Sequence, residues 1–212
     1  LVAYFNEIPR RFEEGLGRSG LPAVWLNREG GRDSVTSDDS SAIARTVGYF
    51  AELGCGRLAF SDFTGAALKG GGLAHRMAAF GAAAERHGLD AVRWGAGGYT
   101  PRNERVAAAR ALLERGDRPD AILALSPSNA HPVVLAARDL GLRFPEDLKL
   151  VTFSDDGTDI AGIRITSLRV PMLEIGRSAA SAILDKVNGK SQRFPGRRLS
   201  LEFEAGETVP PG

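Results

Sequence analysis

The sequence has almost no cysteine. Cys55 stands alone among 212 residues, which excludes an internal disulfide framework and any multi-cysteine metal site. It lies beside glycines in "ELGCGRLAF", where a helix hands over to a strand, and reads as a small buried thiol. The three histidines, His75, His87 and His131, are scattered without ligand spacing, so no metal site is expected. No apolar run reaches about 18 residues and no signal peptide is visible, so the cytoplasm is the default compartment. Neither sign of charge dominates. The 27 basic and 26 acidic residues leave +1, which gives no electrostatic footprint for nucleic acid or an anionic membrane.

Catalytic signatures are missing too. "GAGGYT" at 95–100 lacks the third glycine of a dinucleotide fingerprint, and "GCGRLA" at 54–59 precedes a strand instead of following one. "KGGG" at 69–72 lacks the spacing of a phosphate loop, and there is no G-x-S-x-G elbow. Asp155 and Asp156 are adjacent, but neighbouring carboxylates point apart and need partners elsewhere. An enzyme using either is the weakest of three functional readings, and no cofactor is expected.

What is present is alternation. Strand-like runs ("LVAYF", "LPAVWLN", "RLAFS", "LDAVRW", "DAILAL", "LKLVTF") alternate with helical stretches, and "RRLSLEFE" closes the chain as a final strand. In "SAIARTVGYFAELG", Ile43, Val47, Phe50 and Ala51 share one helical face, and Gly54 stops the helix. Alternating strands and helices with continuous apolar strands predict an α/β fold of parallel sheets with helices on both faces. Ligands in such folds sit at the carboxyl ends of strands. The loops to inspect are therefore Asn27–Gly31, Ser61–Gly72, Gly95–Thr100, Ser126–Asn129 and Ser154–Asp159.

One joint is informative. In "ITSLRVPMLEIGRSAASAIL", a strand-like run meets Pro171 and becomes helical, with Met172, Ile175, Ala179, Ile183 and Val187 recurring on one face. Pro171 suits the first helical position, where an N–H has no partner anyway. This segment resembles the strand–Pro–helix joint of the lactose-repressor (LacI/GalR) family of transcription regulators. Other pieces match in order: "GLPAVWLNR", "DSVTSDDSSAIARTVGYFAELGCGRLAFSD", "HRMAAFGAAAERHGL" and "RPDAILALSPSNAHPVVLAARDLGLRFPEDLKLVTFSDD".

The resemblance implies a two-lobed, periplasmic-binding-protein-like effector domain. Residues 1–38 and 171–195 would form the N-terminal lobe, and 39–170 with 196–212 the C-terminal lobe. Crossings would fall near Thr36–Ser40, Leu168–Pro171 and Phe194–Arg198, with Pro171 at a hinge or simply at a helix start. The chain opens at Leu1 without an initiator Met, and its first five residues already read as a strand. The resemblance therefore implies that a helix-turn-helix DNA-binding domain and two strand–helix units precede Leu1. The first lobe would be incomplete, and operator DNA would be bound only through a domain missing from this chain.

The resemblance also nominates ligand-binding residues. Arg76 would take the ligand-gripping arginine position, its planar fork suiting vicinal hydroxyls or a carboxylate; otherwise it is a solvated helix arginine. Tyr99 would flank the ligand as an aromatic face, or close a turn. Asn27 sits at a strand end, where it contacts ligand or serves turn chemistry. Ser126 replaces a usual Asn and also reads as an N-cap before Pro127. Ser154 replaces a usual Asp, with Asp155 following, and Phe63 would line the cleft. The implied function is sensing a small-molecule effector, a sugar or derivative, in a homodimeric regulator with no membrane partner. The alternative is a periplasmic sugar-binding protein of a transport system.

Overall fold

The computed structural model describes residues 2–3, 9–28, 31–65, 71–94, 99–190 and 193–210. Most of "LVAYF", most of the "GAGGYT" run and part of the loops Asn27–Gly31, Ser61–Gly72 and Gly95–Thr100 lie outside the described residues.

The elements in chain order are β1 (Val2–Ala3), α1 (Arg10–Ser19), β2 (Trp25–Leu26), β3 (Ser34–Ser37), α2 (Asp39–Glu52), β4 (Arg57–Ser61) and α3 (Gly71–Arg86). They continue with β5 (Asp90–Trp94), α4 (Arg105–Leu113), β6 (Ala121–Ala124), α5 (Pro127–Asp139), β7 (Lys149–Ser154), β8 (Thr158–Ile160) and β9 (Ile163–Arg169). The last three are α6 (Met172–Val187), β10 (Arg197–Leu199) and β11 (Glu202–Glu204). Two sheets result. The first has order β1-β2-β3-β10, all parallel. The second has order β11-β9-β7-β6-β4-β5, parallel from β9 to β5, with β11 and β8 both antiparallel to β9. The α/β class with mostly parallel sheets holds.

The second sheet is covered on both faces, as its apolar strands require. Side chains alternate across a strand. Leu58 and Phe60 of β4 therefore join Ile43, Val47 and Phe50 of α2 and Phe80 of α3 in one buried cluster. Ala59 faces the other way, with Ile122 of β6, Ala109 and Leu113 of α4 and Val133 of α5. Every residue of β6 is fully buried, which is the environment that a continuous apolar run demands. Cys55 is buried in the first cluster, and burial pushes its thiol pKa up.

On α2 Ile43, Val47 and Phe50 are buried as the periodicity predicts, while Ala51 is half-buried, and Asp38 caps the helix by accepting from the Ser41 N–H at 3.4 Å. On α6 the buried face is Ile175, Ala179 and Ala182, packed toward β2 and β3. Met172 and Val187, expected on that face, are 45% and 64% exposed. Pro171 stands one position earlier than expected, as N-cap, its carbonyl accepting from the Ile175 N–H at 2.9 Å.

Three stretches cross between the sheets. The first runs from β3 to α2 through Asp38, and the second from β9 to α6 through Val170 and Pro171. The third differs from expectation. "RRLSLEFE" is two strands: β10 pairs with β3 in the first sheet, and β11 pairs with β9 in the second. Ser200 and Leu201 make the crossing, so Arg197–Leu199 joins the first sheet, not the second. The first and third crossings touch, the Asp38 N–H donating to the Leu199 carbonyl at 2.8 Å.

Candidate functional site

The carboxyl ends of β2 and β3 face those of β6 and β7 across a cleft of about 670 Å³. From the first sheet come Asn27, Thr36 and Ser37. Opposite stand Ser126 and Pro127 after β6, and Ser154 to Asp159 at and beyond the end of β7. Asp39 and Arg76 enter from α2 and α3, and Val170 and Met172 supply the wall at the second crossing. The cleft thus lies where open α/β sheets place their ligands.

Arg76 is fixed on two sides. Its Nε lies 2.5 Å from Asp39 Oδ2, and its guanidinium carbon sits 3.8 Å from the Phe153 ring centroid. It is therefore not a freely solvated helix arginine: 14% of its side chain is exposed. Ion pairing and ring stacking hold the guanidinium plane, leaving its terminal nitrogens without a partner among the described residues. Asp39 lines the cleft at 7% exposure, and its second oxygen, Oδ1, is buried with no hydrogen-bond partner among the described residues.

Asn27 ends β2 with φ 59°, a left-handed conformation that Asn tolerates, and it lines the cleft as well. Ser126 occupies the N-cap position of α5, but its side chain caps nothing. Its Oγ instead lies 2.9 Å from Ser128 Oγ and accepts from Asn129 Nδ2 at 2.9 Å. Asn129, fully buried, uses its Oδ1 to accept the Phe63 N–H at 2.6 Å, tying α5 to the segment after β4. Ser154 organises its own loop. Its Oγ bonds the Asp156 carbonyl and accepts from Thr158 Oγ1 at 2.9 Å, so Asp155 and Asp156 are presented at the cleft.

Two nominated residues are not in the cleft. Phe63 is fully buried on the opposite face of the second sheet, with Ala59 and Trp94. The strand alternation that puts Ala59 on that face carries two residues beyond β4 to Phe63. Tyr99 is 70% exposed, its ring centroid 5.6 Å from the Arg105 guanidinium at the start of α4. Arg105 Nε also donates to the Thr100 carbonyl at 2.9 Å, which holds the segment against the start of α4, and Tyr99 does not line the cleft.

The structure adds cleft residues that were not among the nominated ligand contacts: Thr36, Ser37, Asp39, Thr158 and Met172, with Asp156, which the sequence raised only as an unpartnered carboxylate. Asp39 had a usable signal, standing one residue past a strand end and opening a helix. Among the described residues no cluster of His, Cys, Asp or Glu could hold a metal, and no helix is long and apolar enough to cross a membrane.

Comparison with known proteins agrees with this fold. The family described as periplasmic binding protein-like domain matches residues 47–209. An uncharacterised HTH-type transcriptional regulator from the aml 5′ region of Streptomyces limosus is 29% identical over 191 residues, covering 84% of this chain and 52% of that protein. The first curated relatives it matches are spanned only to 26%, 23% and 34% of their length. A LacI family transcriptional regulator from Bifidobacterium animalis subsp. lactis superposes with TM-score 0.80 at 22% identity, covering 100% of this chain and 77% of that one. A transcriptional regulator CelR–cellobiose complex superposes with TM-score 0.78 at 21% identity, covering 98% and 64%.

Proposed function

The chain belongs to the periplasmic binding protein-like domain family, and on that footing we propose that it is the effector-sensing part of a LacI/GalR-like transcription regulator. The effector is a small polar molecule, a sugar or sugar derivative, held in the cleft between the two sheets. One observation carries this reading. The cleft takes side chains from strand ends of both sheets, Asn27 and Ser37 on one side and Ser126 and Ser154 on the other. A ligand touching both binds best when the sheets approach, so binding favours the closed arrangement by population shift. The regulator CelR forms a complex with cellobiose, and a LacI family regulator from Enterococcus faecium holds bound ribose, which supports the sugar class.

In this reading the two sheets are the centres of two lobes, and the crossings at Asp38, Val170–Pro171 and Ser200–Leu201 join them. Closure repositions DNA-binding heads on a homodimer whose two-fold symmetry matches a palindromic operator. Operator contact is made by a helix-turn-helix domain outside these residues, and the protein works in the cytoplasm. The relatives named as HTH-type regulators favour this over transport and over turnover.

Arg76→Lys tests the site. Lysine keeps the charge beside Asp39 but loses the planar fork and the ring stacking. Thermal shift against a sugar panel identifies a ligand, and calorimetry then compares affinities. Arg76→Lys is expected to weaken binding about tenfold or more. Unchanged affinity overturns the assignment of Arg76 to the effector.

A further inference from the structure

The helix α6 is apolar on two sides. Its buried side, Ile175, Ala179 and Ala182, rests on the first sheet. The side turned to solvent should be polar on a surface helix. Instead Leu173, Leu184 and Val187 are 66%, 58% and 64% exposed, with exposed Ala180 among them. Their spacing puts all four on one stripe of the helix. A continuous exposed apolar stripe marks a contact surface.

Relief and charge along the stripe say what fits it. The stripe is symmetric about Ala180: Leu173 and Val187 stand seven residues to either side, and Gly176 and Leu184 stand four to either side. Gly176 leaves a gap in the ridge, since a Cβ there would meet nothing within 4 Å. A second α6 run in the opposite direction therefore sets Val187 against Leu173 and drops Leu184 into the gap at Gly176, twice over. Charge obeys the same symmetry. Arg177 and Asp185 lie along one flank of the stripe, and neither side chain is paired among the described residues. Run antiparallel, each Arg177 comes beside the second copy's Asp185. Run parallel, like charges would meet. With 16 residues the helix is about 24 Å long, so the contact is at the small, reversible end of specific interfaces.

We propose that the exposed face of α6 is a self-association surface, on which a second copy of this chain seats its own α6 in the antiparallel sense. Leu184 fills the gap at Gly176, and Arg177 pairs with Asp185 across the two-fold axis. This contact does not depend on the sensing reading given above.

Sedimentation equilibrium tests it. Self-association with a dissociation constant in about the micromolar range is expected. Leu184→Lys should weaken it at least about tenfold. Leu184 is exposed, so the fold should survive, and circular dichroism checks this. A chain that stays monomeric at about 100 µM overturns the proposal. A dimer that Leu184→Lys leaves intact uses another face and overturns it too. Charge reversal then reads the direction of seating. Arg177→Asp and Asp185→Arg are each expected to weaken association about fivefold, and the two together to restore it within about twofold. No recovery in the double variant overturns the antiparallel pairing. A monomer in which the thiol of Ala180→Cys resists maleimide would place another segment over this face, which also overturns it.

Discussion

Arg76 and Asp39 form an ion pair that joins α3 to the first turn of α2, with 14% and 9% of their side chains exposed. The pair is also a wall of the cleft. Removing one member of a buried pair strands the other charge. Asp39→Ala is therefore expected to lower stability by about 2–3 kcal/mol, measured by urea denaturation. Combining it with Arg76→Met should recover part of that loss, because both charges are then gone. A double variant as unstable as the sum of the singles would show that the two side chains act independently.

Asn129 is a structural joint beneath the cleft. Its Oδ1 accepts the Phe63 N–H and its Nδ2 donates to Ser126 Oγ. Asn129→Ala leaves a buried N–H unpaired, so a loss of about 1–3 kcal/mol is expected on denaturation. Because Ser126 Oγ loses one of its two partners in the same step and keeps only Ser128 Oγ, effector affinity should fall as well. Stability within about 0.5 kcal/mol of the native chain would mean that water replaces the amide fully.

Thr208 latches the end of the chain to the second sheet. Its fully buried Oγ1 accepts the Thr166 N–H at 3.0 Å and donates to the Leu150 carbonyl at 2.5 Å. Thr208→Val keeps the volume and loses both bonds, and about 2 kcal/mol of stability should go with them. Thr208→Ser keeps the hydroxyl and should cost less. Gly206→Ala is expected to destabilise for a different reason: a Cβ there would lie 2.5 Å from the Arg164 carbonyl oxygen and from the Thr166 nitrogen.

Asp33 gives the fold a pH dependence. Burial pushes its carboxyl pKa up, but the Lys186 ammonium at 2.8 Å and the Phe194 N–H at 2.7 Å outweigh that, and the net shift is downward. A carboxyl whose folded pKa is lowered contributes stability that is fully present above its unfolded value of about 3.9. That contribution is lost as pH falls below about 4 through the folded value. Asp33→Asn should lower stability at neutral pH and flatten the stability profile in that acid window. A variant profile parallel to the native one would assign the acid loss to other carboxylates.

Much of the fold was legible in the sequence because burial and local pattern coincide there. β6 is apolar at every position and α2 shows a clean face, so each reads correctly without its neighbours. The splitting of "RRLSLEFE" was not legible. Its strand-like pattern runs on through Ser200 and Leu201, and only the partners, β3 before and β9 after, divide it. β8 went unseen because Thr158–Ile160 is short and exists through pairing with β9. In the site, strand ends located Asn27, Ser126, Ser154 and Asp155, since the position of a loop in an α/β sheet follows from element order. Which face a side chain takes beyond the strand does not follow so simply, and Phe63 shows it. Asn129 looked like one more polar residue in a helix start. Its role arises from a partner 66 positions away in the chain.

Pro171 is flanked by Val170 and Met172, and both line the cleft. The Val170 N–H is bonded to the Ser154 carbonyl, and the Met172 N–H to Val170's own carbonyl. Any change in the angle between the sheets has to be taken up at this crossing, with its two companions at Asp38 and Ser200–Leu201. The wall of the cleft is therefore also part of the joint between the two sheets. On the proposed sensing function, reading the signal and bending would fall to the same few peptide units, with no relay of side chains needed between them.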